Sequence, residues 1–259
     1  MKGGNNRTIW TQEFEVRSYE AAADGTLRPD VLCDYLQEAA SGHAAALGLG
    51  ARELAGDGLT WVLSRLLVEW ERSPEWQDRV QVRTWPSGLQ GIFATRDFEL
   101  SVADHVVARA TTAWFLIDVA RRRPARPPER VTSIERPVRE RALTDDFARM
   151  AAVRQEAPAI SRTAGMSDMD LNGHVNHVRY VAWALDALGP DWHDRQRLRR
   201  LSMQFRNESV AGDSLAVFTE QAADGAAEWS HEVRREDGSA AAQAQSWWVP
   251  RTAPARSRS

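Results

Sequence analysis

Pro29-Asp-Val-Leu-Cys-Asp-Tyr-Leu-Gln-Glu-Ala-Ala-Ser-Gly-His-Ala-Ala-Ala-Leu47 reads as one helix, and the rest of the chain falls into place around it. Val31, Leu32, Tyr35, Leu36, Ala39, Ala40, Ala44 and Leu47 recur at helical spacing. Pro29 near the start and Gly48 just past the end fit the residue preferences of the two helix termini. Four strand-length runs follow, at 61–70, 79–85, 92–102 and 106–117, each bounded by turn residues. With a strand ahead of the helix, the first half reads strand, helix, four strands.

Arg121-Arg-Arg-Pro124-Ala-Arg-Pro-Pro128 breaks every period, and the Arg- and Glu-rich stretch to Glu156 has no strand pattern. It reads as a linker with room for a short helix. The grammar then repeats, with a short strand at 159–164 and a helix at 175–188 whose Val178, Val181, Ala182 and Leu185 share one face. Strands are expected at 199–205, 215–219, 229–235 and 240–249, with turns at Gly212-Asp213, Asp224-Gly225 and Asp237-Gly238. A long apolar helix followed by an antiparallel meander, twice over, predicts an α+β fold of two similar units. In each, a sheet wraps a buried helix. The tail from Arg251 is expected to be disordered.

The chain has 259 residues, 43% hydrophobic and 27% charged, which fits a soluble folded protein and excludes disordered, collagen-like and disulfide-stapled classes. Thirty-three basic residues against thirty-six acidic ones leave a charge of −3, too balanced for a dedicated nucleic-acid binder. Lys2 is the only lysine, a coding bias that carries no function. The single cysteine, Cys33, excludes an internal disulfide and a Cys-based zinc cluster, and it points to a reducing compartment, the cytoplasm. No apolar run approaches the ~18 residues of a membrane span, and residues 1–6 contain no signal-peptide core. The sequons at Asn6 and Asn207 are therefore expected to stay unmodified.

One segment stands apart: Ser167-Asp168-Met169-Asp170-Leu171-Asn172-Gly173-His174-Val175-Asn176-His177-Val178-Arg179-Tyr180, ahead of the second helix. A helix cap at Asp170 or Asn172 explains one or two of its polar residues but not six. Asp168-x-Asp170-x-Asn172-Gly173 opens like a calcium loop, yet Arg179 stands where that loop needs its bidentate glutamate. His174, His177 and Asp170 could ligate zinc or iron, but no second His-rich motif completes a set. The chain has no G-x-S-x-G elbow and no phosphate-binding glycine loop, and Cys33 lies within the first helix. General acid–base chemistry by Asp, His and a further carboxylate, acting on water, is what remains, with no metal or cofactor expected.

Asp170-x-Asn172-x-His174-Val175-Asn176 leading into a helix resembles the signature of the acyl-acyl-carrier-protein (acyl-ACP) thioesterases. Arg17-Ser-Tyr-Glu20, Leu36-Gln-Glu38-Ala39 with His43, Trp61-Val-Leu-Ser-Arg65, Arg109-Ala-Thr111 with Trp114, and Phe205-Arg-Asn-Glu208 with Gly212-Asp-Ser214 extend the likeness over about residues 10–250. The resemblance implies a tandem, double hotdog fold. An N-terminal hotdog at 8–130 would supply the acyl-chain pocket. A linker at 131–156, a C-terminal hotdog at 157–250 with the catalytic residues and a disordered tail at 251–259 would follow. It implies that Asp170, Asn172, His174 and Glu208 are catalytic, with Asp170 or Glu208 as the base. Ser209 stands where plant relatives typically carry cysteine, so a thiol nucleophile there is ruled out. Amides at the N-terminus of a helix beginning near His174 would stabilise the oxyanion. The expected partner is a fatty acyl-carrier protein, met by Arg121–Arg123, Arg126 and the arginines of 195–200, with the chain a monomer or homodimer. The alternatives are an acyl-CoA thioesterase, a hotdog hydratase or dehydratase, and a non-catalytic acyl binder.

Overall fold

The computed structural model describes residues 8–145, 148–223 and 225–251. The elements run β1 (Trp10–Glu15), α1 (Pro29–Ala46), α2 (Ala51–Ala55), β2 (Leu59–Trp70), β3 (Arg79–Gln90), β4 (Phe93–Val102), β5 (His105–Asp118), β6 (Arg123–Ala125) and α3 (Glu129–Thr132). The second half runs β7 (Ile160–Thr163), α4 (His177–Asp186), α5 (Pro190–Arg195), β8 (Gln196–Phe205), β9 (Ser214–Gln221), β10 (Glu228–Arg235) and β11 (Ala240–Pro250). Asp224, half of one expected turn, and residues 252–259 of the tail lie outside the described residues.

Both halves use one pairing order. In the first, the order is β1-β3-β4-β5-β2; in the second, β7-β9-β10-β11-β8; every pair is antiparallel. The sequence predicts a separate sheet for each half, whereas the structure has one eleven-stranded sheet joined through β2 and β8. Each of these strands would otherwise end its half with a row of unpaired backbone groups. Leu66 faces Met203 and Val68 faces Leu201 across the joint, all four buried. One hydrophobic core therefore runs through both halves, with α1 and α4 in contact within it.

The first helix forms as its spacing predicts, with Pro29 in its first turn and Val31, Leu32, Tyr35, Leu36, Ala39, Ala40 and His43 buried. It ends at Ala46 with Leu47 as its cap, and Gly48 beyond takes φ +71°. The second helix is shorter than expected. It begins at His177, capped by the Asn176 side chain, and ends at Asp186.

The linker is a strap. The tripeptide Arg123–Ala125, inside a stretch read as patternless, pairs with β5, and α3 is the only helix among the described linker residues. Beyond it the chain crosses the sheet face turned away from α1 and α4, because Asp97 and Glu99 alternate with the core residues Phe98 and Leu100. Arg139 lies 3.9 Å over the Trp85 ring, and Arg141 Nε donates to the fully buried Asp97 at 2.8 Å. Further on, Gln243 Nε2 donates to Ala151 O at 3.3 Å and Arg234 to Val153 O at 2.5 Å.

Candidate active site

Asp170, Asn172 and His174 sit in the connection between β7 and α4, and that connection folds by its own hydrogen bonds. A single 3₁₀ turn closes on Asp168, whose carboxylate accepts Gly165 N at 2.9 Å and Arg179 Nε at 2.7 Å. Arg179 thus occupies the carboxylate that would open a calcium loop. Met169 then pairs with Val175, and Asp170 N donates to His174 O at 2.7 Å. Gly173 N returns to Asp170 O at 3.1 Å with φ +77°, a conformation that only glycine adopts without a steric penalty.

Within this hairpin Asp170 Oδ1 accepts the backbone amides of Asn172 at 2.8 Å and His174 at 3.2 Å. Oδ2 meets the Asn172 side-chain amide at a longer 3.5 Å. His174 is half-buried and turns Nε2 to Glu208 Oε2 at 3.3 Å. Glu208 follows the end of β8, in a loop held against the hairpin by Val175 N donating to Ser209 O at 2.8 Å. The four residues singled out in sequence therefore fall on two adjoining loops, and the structure brings His174 directly onto Glu208. Ser209 is 1% exposed, beside Tyr180.

Two expectations fail locally. The residues from His174 to Asn176 are not helical, and their amides are already engaged by Asp170, Ser209 O and Asp168 O. They cannot serve as the expected oxyanion donors. Neither Asp170 nor Asn172 caps the helix, since Asn176 Oδ1 accepts Val178 N. His174 and His177 do not converge either. The His177 ring packs edge-on against Phe205, centroids 5.6 Å apart, and burial pushes its pKa down to about 4. Among the described residues no group of three His, Cys, Asp or Glu side chains could hold a metal ion. Cys33 is buried, which drives its thiol pKa well up and leaves it no nucleophilic role.

Beside the loop of Glu208 lies a cleft of about 330 Å³ lined by Ile92, Phe93, Phe115, Pro124 and Phe205, with Ser64, Gln204 and Arg206 as its polar groups. It joins the two halves at the end where β8 delivers Glu208. A second depression, at the turns carrying Gly212 and Arg235 to Asp237, is polar and has no aromatic lining. Of these two, the depression beside Glu208 carries the aromatic lining.

The sequence matches two models of one family, the acyl-ACP thioesterase N-terminal domain over residues 7–134 and the C-terminal domain over 156–250. The chain belongs to the acyl-ACP thioesterase family. It is 29% identical over 262 residues to the palmitoyl-acyl carrier protein thioesterase of Cuphea hookeriana, covering 94% of this chain and 63% of that one. It is 30% identical over 267 residues to the corresponding protein of Gossypium hirsutum, covering 95% and 65%. It thus spans less than two thirds of the length of these curated relatives. The crystal structure of an acyl-ACP thioesterase from Bacteroides thetaiotaomicron aligns with a TM-score of 0.85 and 28% identity, over 93% of this chain and 98% of that one. The 12:0-ACP thioesterase of Umbellularia californica shares the fold, with a TM-score of 0.83 over 96% and 100%.

In this acyl-ACP thioesterase family member the arginines expected to meet a partner are placed in different ways. Arg121 pairs with Asp118 and Arg200 with Glu69, while Arg123 and Arg126 are exposed. Arg122 instead reaches Glu208, 86 residues away. No spacing in the sequence announces that pairing, since an Arg-Arg-Arg-Pro run reads as linker.

Proposed function

We propose that this chain hydrolyses the thioester of a fatty acyl-carrier protein, releasing free fatty acid and the carrier thiol. The observation that carries the reading is the contact of His174 Nε2 with Glu208 Oε2, beside an apolar cleft, in a chain of this family. Partner counts on the carboxylate oxygens suggest the roles. Both oxygens of Glu208 are engaged, by Arg122 and His174, whereas the hydrogen bond to Oδ2 of Asp170 is a long one, from the Asn172 amide at 3.5 Å. Asp170 is then the general base, and Glu208 orients His174 through Nε2–H. Water, held by Asp170 Oδ2 and His174 Nδ1, adds to the thioester carbon as its proton passes to Asp170. The Asn172 amide donates to the developing oxyanion, which collapses with cleavage of C–S; the thiolate departs and takes the proton back from Asp170. Removing one such oxyanion donor typically costs ~3 kcal/mol of barrier, so Asn172→Ala should lower kcat by ~100-fold or more.

We read the repeated pairing order as a tandem hotdog, the first at 8–130 and the second at 157–250, with 131–156 as the strap between them. Pairing of β2 with β8 satisfies both inner edges within one chain, so a monomer suffices. Arg123 and Arg126, at the rim near Pro124, are suited to an acidic carrier protein. A cytoplasmic site of action fits the single, buried, unpaired Cys33; among the described residues no helix is long and apolar enough to cross a membrane.

The test is hydrolysis of a panel of acyl-carrier-protein and acyl-CoA thioesters, with free acid detected by mass spectrometry, for wild type, His174→Ala and Glu208→Ala. Acid released from carrier-protein substrates and lost by ~100-fold in the variants supports the reading. Preference for acyl-CoA would reassign the thiol carrier. Binding without release of acid would sink it in favour of a hydratase or an acyl-binding protein.

A further inference from the structure

We propose that Arg122, contributed by the first half of the chain, is a positioning residue for the hydrolytic site in the second half. The proposal rests on the thioesterase reading above for its kinetic consequence, but its structural content stands apart from it. Glu208 lies past the end of β8 with its side chain 47% exposed, on a loop that carries no regular structure. A glutamate there has three free torsions and water on one side, so nothing in its own segment fixes the carboxylate. Two contacts do. His174 Nε2 takes Oε2, and a terminal nitrogen of Arg122 donates to Oε1. A carboxylate engaged at both oxygens is biased against turning away from the imidazole, so Arg122 favours the edge that Glu208 presents to His174.

The first half is built to deliver that guanidinium. Arg122 is in the turn between β5 and β6, with φ +50°, one of four non-glycine residues at positive φ among those described. The turn is pinned by Asp118, whose carboxylate accepts Arg121 N at 2.9 Å and an Arg121 guanidinium nitrogen at 2.6 Å. Arg121 is thereby held on Asp118, and its neighbour reaches the other half. Pairing of β6 with β5 fixes the far side of the same turn. The Arg122 side chain is itself 78% exposed, so the pair contributes little to fold stability, and its removal leaves the protein folded.

The experiment compares wild type with Arg122→Gln, Arg122→Lys and, as an exposed ion pair remote from the site, Arg79→Gln. Steady-state hydrolysis is read together with the His174 Hε1 resonance, assigned among six histidines by its loss in His174→Ala. Arg122→Gln is expected to lower kcat by ~10- to 100-fold with KM within about twofold, the scale of a misplaced catalytic group. Arg122→Lys should recover most of that loss. The Hε1 resonance is expected to move in both Arg122→Gln and Glu208→Gln and to stay put in Arg79→Gln. A rise in KM at constant kcat would make Arg122 a substrate-binding cation and overturn the proposal, as would an unmoved His174 resonance. The resonance is independent of turnover, so it decides for or against Arg122 even if wild type frees no acid, the outcome that would sink the thioesterase reading alone.

Discussion

The connection that precedes α1 and the one that precedes α4 are the same piece of backbone, and only the second carries the side chains to which we assign chemistry. Each opens with a 3₁₀ turn, Ser18–Glu20 and Met166–Asp168, closed by a carboxylate on the amide three residues back, at 2.8 Å from Arg17 N and 2.9 Å from Gly165 N. In each, the following helix sends one side chain to that carboxylate, Tyr35 to Glu20 and Arg179 to Asp168, both at 2.7 Å. A small hairpin follows, bridged Ala21 to Leu27 and Met169 to Val175, with its glycine at φ +83° and +77°. The amides of Leu27 and Val175 then both donate at 2.8 Å to a carbonyl in the loop after the next strand, Pro74 and Ser209. In this frame Asp170, Asn172, His174 and Glu208 stand where the first half has Ala22, Asp24, Thr26 and Ser73. The backbone device is shared, and the side chains of the proposed site stand on one copy of it.

The largest effect expected from this comparison is at Asp170. Asparagine keeps the oxygen that accepts the Asn172 and His174 amides, so Asp170→Asn preserves the hairpin and removes only the base. Its kcat should fall by ~10²- to 10⁴-fold with an unchanged circular dichroism spectrum, whereas Ala22→Asp, at the matching place, should leave turnover as it was. Equal loss in both variants would mean that the two loops are not functionally distinct. Glu208→Gln comes next: the amide keeps one acceptor oxygen for two donors, so one of the contacts with His174 and Arg122 is lost together with the charge, and a drop of ~10- to 100-fold in kcat is expected. Ser73→Ala should have no kinetic effect.

The shared part of the device makes the opposite prediction. Glu20→Gln and Asp168→Asn each weaken a charge-assisted contact at a nearly buried carboxylate, 8% and 9% exposed. Chemical denaturation should show each destabilised by about 1–3 kcal/mol, with similar values in the two halves. A large cost at Asp168 and none at Glu20 would break the equivalence.

Much of this was legible in the sequence because it is written in local periods. The spacing in α1, the alternation of Leu201, Met203 and Phe205 in β8, and the density of polar groups at 167–180 each report on neighbours a few residues away. What could not be read depends on partners far along the chain. The joint of β2 with β8 pairs residues more than 130 apart, and Arg122 meets Glu208 through a turn whose sequence resembles any basic linker. The helix start departs from the spacing for a different reason. Asp170, Asn172 and Asn176 are all good caps, and what makes Asn176 the cap is that Asp170 is spent on closing its own hairpin.

The smallest predicted effect concerns the helices themselves. By the same correspondence α1 carries Asp34 where α4 has Ala182, and partial burial, reinforced by Asp30, raises the Asp34 pKa to about 6 against the opposing pull of Arg179 and Arg28. A carboxylate whose folded pKa lies above its unfolded value opposes folding once it ionises. Between about pH 4, where the unfolded side chain loses its proton, and about pH 6, where the folded one does, Asp34 lowers stability progressively; above that its effect is constant. Asp34→Asn should therefore match wild type near pH 4 and exceed it at pH 7 by about 1 kcal/mol, the full linkage being reduced because the side chain is only partly buried. Urea titrations at the two pH values measure the difference. If the variant is weaker at pH 7, the attraction of Arg179 outweighs burial, and Asp34 joins α1 to α4 as an ion pair where an alanine would leave only packing.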